Sequence, residues 1–209
     1  MGAGPGSFDP GGFVEAARRR GIPADLVAVD LHASHYFNGT FLERLRTDIV
    51  LPARAAGYTA VWLVGTSMGG LGALYHHMRH PGEVSGVVAF APFLGEGELL
   101  DELRAAGGAH AWRGGPPAEP RGNEDYLREL WVWLRGHSGR PGDPPIFLGY
   151  GREDRFAEAD RYLAQLLPAE RVRTAEGGHA WAVWLGTWER FLDEIPLVRA
   201  HGPHSATPP

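Results

Sequence analysis

Thr59-Ala60-Val61-Trp62-Leu63-Val64-Gly65-Thr66-Ser67-Met68-Gly69-Gly70-Leu71 decides how this chain folds. Residues 59–64 are apolar with β-branched and aromatic side chains, the pattern of a buried strand. From Leu71 to Arg79 the pattern is helical, and it closes before Pro81. Between them lies Gly65-Thr66-Ser67-Met68-Gly69, a G-x-S-x-G turn. A serine on so sharp a turn takes strained backbone angles and needs small neighbours two positions away. Gly65 and Gly69 meet that need, and Gly70 and Gly72 let the following helix approach the sheet. The backbone N–H of Met68, at the helix start, then points toward a developing oxyanion. A tight connection with an idle serine would carry the same five residues. The flanking strand and helix are what favour a nucleophile.

Outward from this turn, strand-like and helix-like patterns alternate. Phe13 to Arg20 reads as a short helix stopped by Gly21 and Pro23, and Asp25 to Leu31 as a buried strand. Phe41, Leu42, Leu45, Ile49 and Ala53 recur at helical spacing, with Thr40 placed to cap the start and Gly57 to end it. Val84 to Ala91 is a third strand. Glu96 to Ala106 and Asn123 to Arg135 are helical, separated by the breaker Gly114-Gly115-Pro116-Pro117. Pro145 to Tyr150 is a strand, Ala157 to Leu167 a helix, Val172 to Ala175 a short strand and His179 to Ile195 a last amphipathic helix. Such alternation predicts an α/β fold, a mainly parallel sheet flanked by helices. The tail from Val198 to Pro209 is expected to be disordered.

With 209 residues the chain has room for one domain, expected over 1–197, and too little for two ordinary ones. A net charge of −5 without clustered positive charge gives no reason to expect a nucleic-acid partner. All 20 basic residues are Arg, which with 30 Gly and 17 Pro reads as GC-rich bacterial codon bias and assigns no function. The lack of Cys excludes disulfides and thiolate catalysis. No apolar run is long enough to cross a bilayer, and Met1 to Gly12 lacks the apolar core of a signal peptide. A cytoplasmic enzyme without cofactor or membrane partner is the expectation.

A serine hydroxyl needs a base, and the base an orienting carboxylate. Functional groups of parallel sheets gather in the loops after strand C-termini. The loop Gly151-Arg152-Glu153-Asp154-Arg155-Phe156 offers Asp154, with Glu153 as competitor; Glu176-Gly177-Gly178-His179 offers His179. The order Ser67, Asp154, His179 fits a hydrolase that carries its serine on such a turn.

On these motifs (Gly65 to Gly70, Tyr150 to Phe156, Gly177 to Trp181) the chain resembles bacterial α/β-hydrolases of the esterase/lipase kind, from Gly2 to about Leu192. The resemblance implies carboxylic-ester hydrolysis through an acyl-enzyme, with Ser67 attacking, His179 moving the proton and Asp154 holding the imidazole. It also implies that the insertion at 93–144 forms a small helical cap, and that the first oxyanion donor lies in a Gly-containing loop after a central strand. Gly2-Ala3-Gly4 looks like that loop, which makes Ala3 the donor beside Met68. Only Met1 precedes it. The strand that the family places between the 25–31 and 59–64 runs is therefore absent, and the expectation is that the chain as given starts after it.

Other residues have competing readings. Asp30, His32 and His35 follow the 25–31 run on the active-site edge and are candidates for substrate contact, His32 first, and only weakly for a metal. His76 and His80 share a helix face, a spacing met more often in solvated pairs than in metal sites. Trp181, Trp184, Leu185, Trp188, Phe191 and Leu192 form a stripe that docks the last helix. Trp131, Trp133 and Leu134 either line an acyl pocket or pack the cap, and Trp131 is the candidate for substrate contact. The expected partner is a small-molecule ester. A thioesterase or amidase with the same triad, or a hydrolase-fold protein that binds without turnover, are the alternatives.

Overall fold

The apolar runs pair into one parallel sheet in the computed structural model, which describes residues 12–29, 33–115, 124–137 and 142–194. In chain order the elements are α1 (Phe13–Arg19), α2 (Ala33–Phe37), α3 (Phe41–Leu45), a π-helical turn (Arg46–Val50), α4 (Leu51–Ala55), β1 (Trp62–Thr66), α5 (Met68–Arg79), β2 (Gly86–Phe90), α6 (Glu98–Ala105), α7 (Glu124–His137), β3 (Ile146–Gly151), α8 (Ala157–Leu166), β4 (Val172–Ala175) and α9 (Trp181–Glu194). The strands lie side by side in the order β1-β2-β3-β4, all parallel. The fold is thus the expected α/β sheet flanked by helices.

Burial follows position in the sheet. Every residue of β2 and β3 is buried, whereas β1 alternates and β4 is half-buried throughout. Central strands of a parallel sheet are covered on both faces, which is why Gly86–Phe90 and Ile146–Gly151 read as unbroken apolar runs. On one face α5 packs on β1 and β2, and α8 on β3; on the other α9 packs on β3 and β4, with α1 against α9. Phe13, Phe90, Phe147, Trp188 and Phe191 interlock between sheet and α9, with ring centroids 5.6–6.3 Å apart. Phe90 and Phe191 are fully enclosed, each contributing about 2–3 kcal/mol of burial. The stripe on the last helix therefore docks it, as its spacing implies.

The expected strand at Asp25 to Leu31 is not formed: residues 22–29 are irregular, and 30–32 lie outside the described residues. Leu26, Val27 and Val29 are 43%, 64% and 38% exposed. A strand needs a ladder partner for its N–H and C=O groups. β1 is the edge of the sheet, and among the described residues no strand lies on its outer side. The segment is tied instead at Asp25, whose carboxylate accepts the Tyr58 hydroxyl.

The helix over 41–53 forms with two changes. Thr40 makes no side-chain cap; its hydroxyl donates to Asn38 Oδ1 at 2.8 Å and lies 3.0 Å from His35 Nδ1. A π turn also interrupts the ladder just before Pro52, whose missing N–H cannot bond back to the preceding turn. In the 93–144 segment, α7 packs against α5 and α8, and α6 against α8, so these helices join the layer covering the sheet. Among the described residues no helix is long and apolar enough to cross a membrane. The tail from residue 198 lies outside the described residues.

Candidate active site

Register brings the strand ends level. Thr66 pairs with Phe90, Phe90 with Gly149, and Gly151 with Ala175, so the loops after β1, β2, β3 and β4 leave from one rim. Ser67 follows β1 directly; Asp154 and His179 follow β3 and β4 by three and four residues.

Ser67 has φ 51° and ψ −118°, a left-handed conformation that costs an L-residue of order 1–3 kcal/mol and persists only when its surroundings enforce it. They do so through the backbone. Ser67 N–H donates to Phe90 O at 2.9 Å, and Ser67 O accepts from Phe93 N–H and Leu71 N–H, each at 3.1 Å. Ala91 beside it also has positive φ, at 40°.

The two glycines of the motif differ. A Cβ on Gly65 would lie 2.2 Å from Gly69 O and 2.7 Å from Gly70 N, so Gly65 is compulsory for the turn. A Cβ on Gly69 would meet nothing within 4 Å, so the need for space there is not what places that glycine. A Cβ on Gly70 would stand 2.9 Å from Pro92 Cβ and 3.3 Å from Gly65 O of β1, so this glycine does let α5 approach the sheet, whereas Gly72 makes room for the Tyr36 hydroxyl. Met68 is the first residue of α5, so its N–H is among those without an intrahelical acceptor and sits at the positive end of the helix dipole.

Asp154 is the carboxylate that reaches the histidine. His179 Nδ1 lies 2.8 Å from Asp154 Oδ2 and 3.0 Å from Oδ1, and the Asp154 side chain is fully enclosed. Asp154 Oδ1 also accepts Phe156 N–H at 2.9 Å, which fixes the carboxylate within its own loop. The competitor Glu153 turns away and accepts Gly177 N–H. The loops after β3 and β4 are laced together by Arg152 N–H to Ala175 O and Glu153 N–H to Gly177 O, at 2.9 and 3.2 Å. A Cβ on Gly151 would stand 2.1 Å from Gly177 O, so that approach also requires glycine.

With Nδ1 facing Asp154, the imidazole presents Nε2 to the other side, where no hydrogen bond to it is formed among the described residues. Asp154 and His179 are therefore joined directly, while Ser67 shares their rim without a hydrogen bond to the ring.

The ring is framed edge-on by Phe156 at 5.1 Å and Trp184 at 4.7 Å, and Phe93 packs on Phe156 at 5.5 Å. The stripe places Trp184 on the docking face of the last helix, and the structure gives its ring this contact with His179 as well.

The remaining candidates fare differently. Trp131 is 1% exposed and its indole N–H donates to Leu94 O at 2.9 Å, so it packs α7 down and is withdrawn from any open pocket. His35 is held at Thr40. Ala3, Asp30 and His32 lie outside the described residues. His76 is buried rather than solvated, with its ring 5.0 Å from that of His80. Desolvation, with His80 adding repulsion, lowers its pKa to about 4.

Residues 32–192 match the profile of the Esterase family, described as "Putative esterase". No curated protein matches the chain. Among solved structures the chain is similar to a ferulic acid esterase (19% identity, 72% of this chain and 58% of that one, TM-score 0.44). It is similar to the S-formylglutathione hydrolase of Staphylococcus aureus (14%, 78% and 65%, TM-score 0.48). It is also similar to the enterobactin esterase of Shigella flexneri (20%, 85% and 46%, TM-score 0.48). The chain spans less than two thirds of the length of each of these three.

Proposed function

The chain belongs to the Esterase family, and on that premise we propose that it hydrolyses small-molecule carboxylic esters with Ser67 as nucleophile, His179 as base and Asp154 as orienting acid. Ser67 Oγ attacks the ester carbonyl while His179 Nε2 takes its proton. Asp154 holds the ring by Nδ1 and stabilises the imidazolium that forms. The carbonyl oxygen, now negative, is received by the N–H of Met68 at the start of α5. Collapse breaks the bond to the alcohol, which leaves with the proton from His179 and yields an acyl-enzyme. Water then attacks with His179 again as base, releasing the acid and restoring Ser67.

The observation that supports this reading most is the 2.8 Å pairing of His179 with Asp154 on the same rim as a serine held at positive φ. An unused serine in a simple connection would have no reason to hold that strained conformation. The test is labelling with a fluorophosphonate probe. Wild type is expected to be modified at Ser67 and Ser67→Ala not at all, with hydrolysis of nitrophenyl esters lost in parallel. A folded wild-type protein that ignores both probe and esters would instead support binding without turnover.

A further inference from the structure

The ring of His179 is bordered by hydrogen-bond donors for which the reaction above has no use. Arg155 follows Asp154 in the loop after β3 and is exposed. Its guanidinium carbon stands 4.6 Å over the centre of the Phe156 ring, inside the range of a cation–π contact. The same ring meets His179 at 5.1 Å, with the two planes 84° apart. Among the described residues Arg155 makes no ion pair or hydrogen bond. The two carboxylates before it in the loop are engaged, Glu153 by Gly177 N–H and Asp154 by Phe156 N–H and His179. Trp184, the other ring against His179, is 5% exposed, and its buried indole N–H has no acceptor among the described residues.

We propose that Arg155 selects the substrate by binding a carboxylate on the alcohol part of the ester. This rests on the reading of His179 as the base that returns its proton to the leaving alcohol. Groups bordering that ring then lie on the alcohol's side of the bond that breaks. A guanidinium resting on an aromatic ring has lost side-chain freedom before any ligand arrives, and its planar fork of donors matches the two oxygens of a carboxylate. An anion gains no attraction from the chain as a whole, whose net charge is −5, so a local cation has to supply it. The indole N–H of Trp184 adds a second donor beside the base, which favours a ligand rich in acceptors over a cationic one.

The test compares 4-acetoxybenzoate with 4-acetoxybenzamide, two acetyl esters whose alcohol parts differ in charge, each rate normalised to alkaline hydrolysis. Wild type is expected to favour the carboxylate in kcat/KM, and less so as salt rises. Arg155→Gln should lower that preference about tenfold through KM, and Arg155→Lys should restore part of it. Binding of 4-hydroxybenzoate to Ser67→Ala, read from tryptophan fluorescence, should weaken about tenfold when Arg155→Gln is added. A guanidinium that merely packs its loop would lower both esters alike in Arg155→Gln, and that result overturns the proposal. So does a wild type with no preference for the charged ester. If neither ester is turned over, the binding measurement decides. Probe labelling and ester turnover with an unmoved preference would leave the hydrolase standing and remove Arg155 from substrate selection. A protein inert to probe and esters that still binds 4-hydroxybenzoate through Arg155 would keep the anion site and overturn the hydrolase reading.

Discussion

Gly65→Ala is the substitution through which the geometry of the turn can be weighed. The added Cβ would stand 2.2 Å from Gly69 O, 2.3 Å from Gly69 C and 2.7 Å from Gly70 N. All three are backbone atoms, so no side chain can swing aside. Real Cβ contacts do not fall below 3.0 Å, so the backbone must retreat by at least 0.8 Å. The retreating atoms belong to the turn that carries Ser67 and the Met68 N–H, so the displacement falls on the proposed nucleophile and the proposed oxyanion donor together. A misplacement near 1 Å costs on the order of a hundredfold in rate, or about 2.7 kcal/mol of transition-state stabilisation. The assay is turnover of a nitrophenyl ester per molecule folded by near-UV circular dichroism, with Gly69→Ala as control, because a Cβ there meets nothing within 4 Å. Gly65→Ala should lose about two orders of magnitude in kcat, and Gly69→Ala far less. Equal, near-wild-type rates in both would refute the claim that this contact sets the position of Ser67.

Asp154→Asn leaves a neutral amide against His179 Nδ1 and should cut kcat by about 10³–10⁴-fold with little change in KM, read from steady-state kinetics. His76 and His77 are both buried with pKa lowered to about 4, chiefly by desolvation, so the unfolded chain takes up protons first and stability falls as pH drops below the ordinary histidine value toward 4. Between pH 7 and 5 each should cost about 2 kcal/mol, and His76→Leu, which removes one of them, should roughly halve this part of the slope in urea titrations. Trp131→Phe breaks the bond to Leu94 O and should lower stability by about 1–2 kcal/mol in thermal denaturation while kcat/KM per folded molecule holds. Loss of activity without loss of stability would return Trp131 to the substrate.

What could be read in the sequence was what is settled locally. The strand, turn and helix around Ser67 declare themselves within thirteen residues, because a glycine-flanked serine between two periodicities has few other conformations open to it. Asp25 to Leu31 misled because its apolar pattern states only a preference. The strand itself depends on a neighbour that the 22–29 segment lacks among the described residues. Trp131 was ambiguous for a related reason: an aromatic residue on an amphipathic helix looks the same whether it faces a ligand or a carbonyl such as Leu94 O.

The order of the strands explains why the loop after β2 matters although it supplies no reacting group. Ser67 follows β1, and Asp154 and His179 follow β3 and β4, so β2 stands between the proposed nucleophile and its proposed partners. A hydrogen bond from Ser67 to Phe90 ties the turn to the end of β2, and one from Phe93 back to Ser67 ties that loop to the turn. Ala91 N–H reaches on to Gly149 O of β3 at 2.8 Å. Phe93 then packs on Phe156, whose N–H holds Asp154 and whose ring edges His179. Position is therefore carried across the rim by hydrogen bonds from the backbone and two ring contacts. Truncating Phe93 would remove its contact with Phe156, on which His179 is edged, while leaving the backbone bonds that hold Ser67 in place.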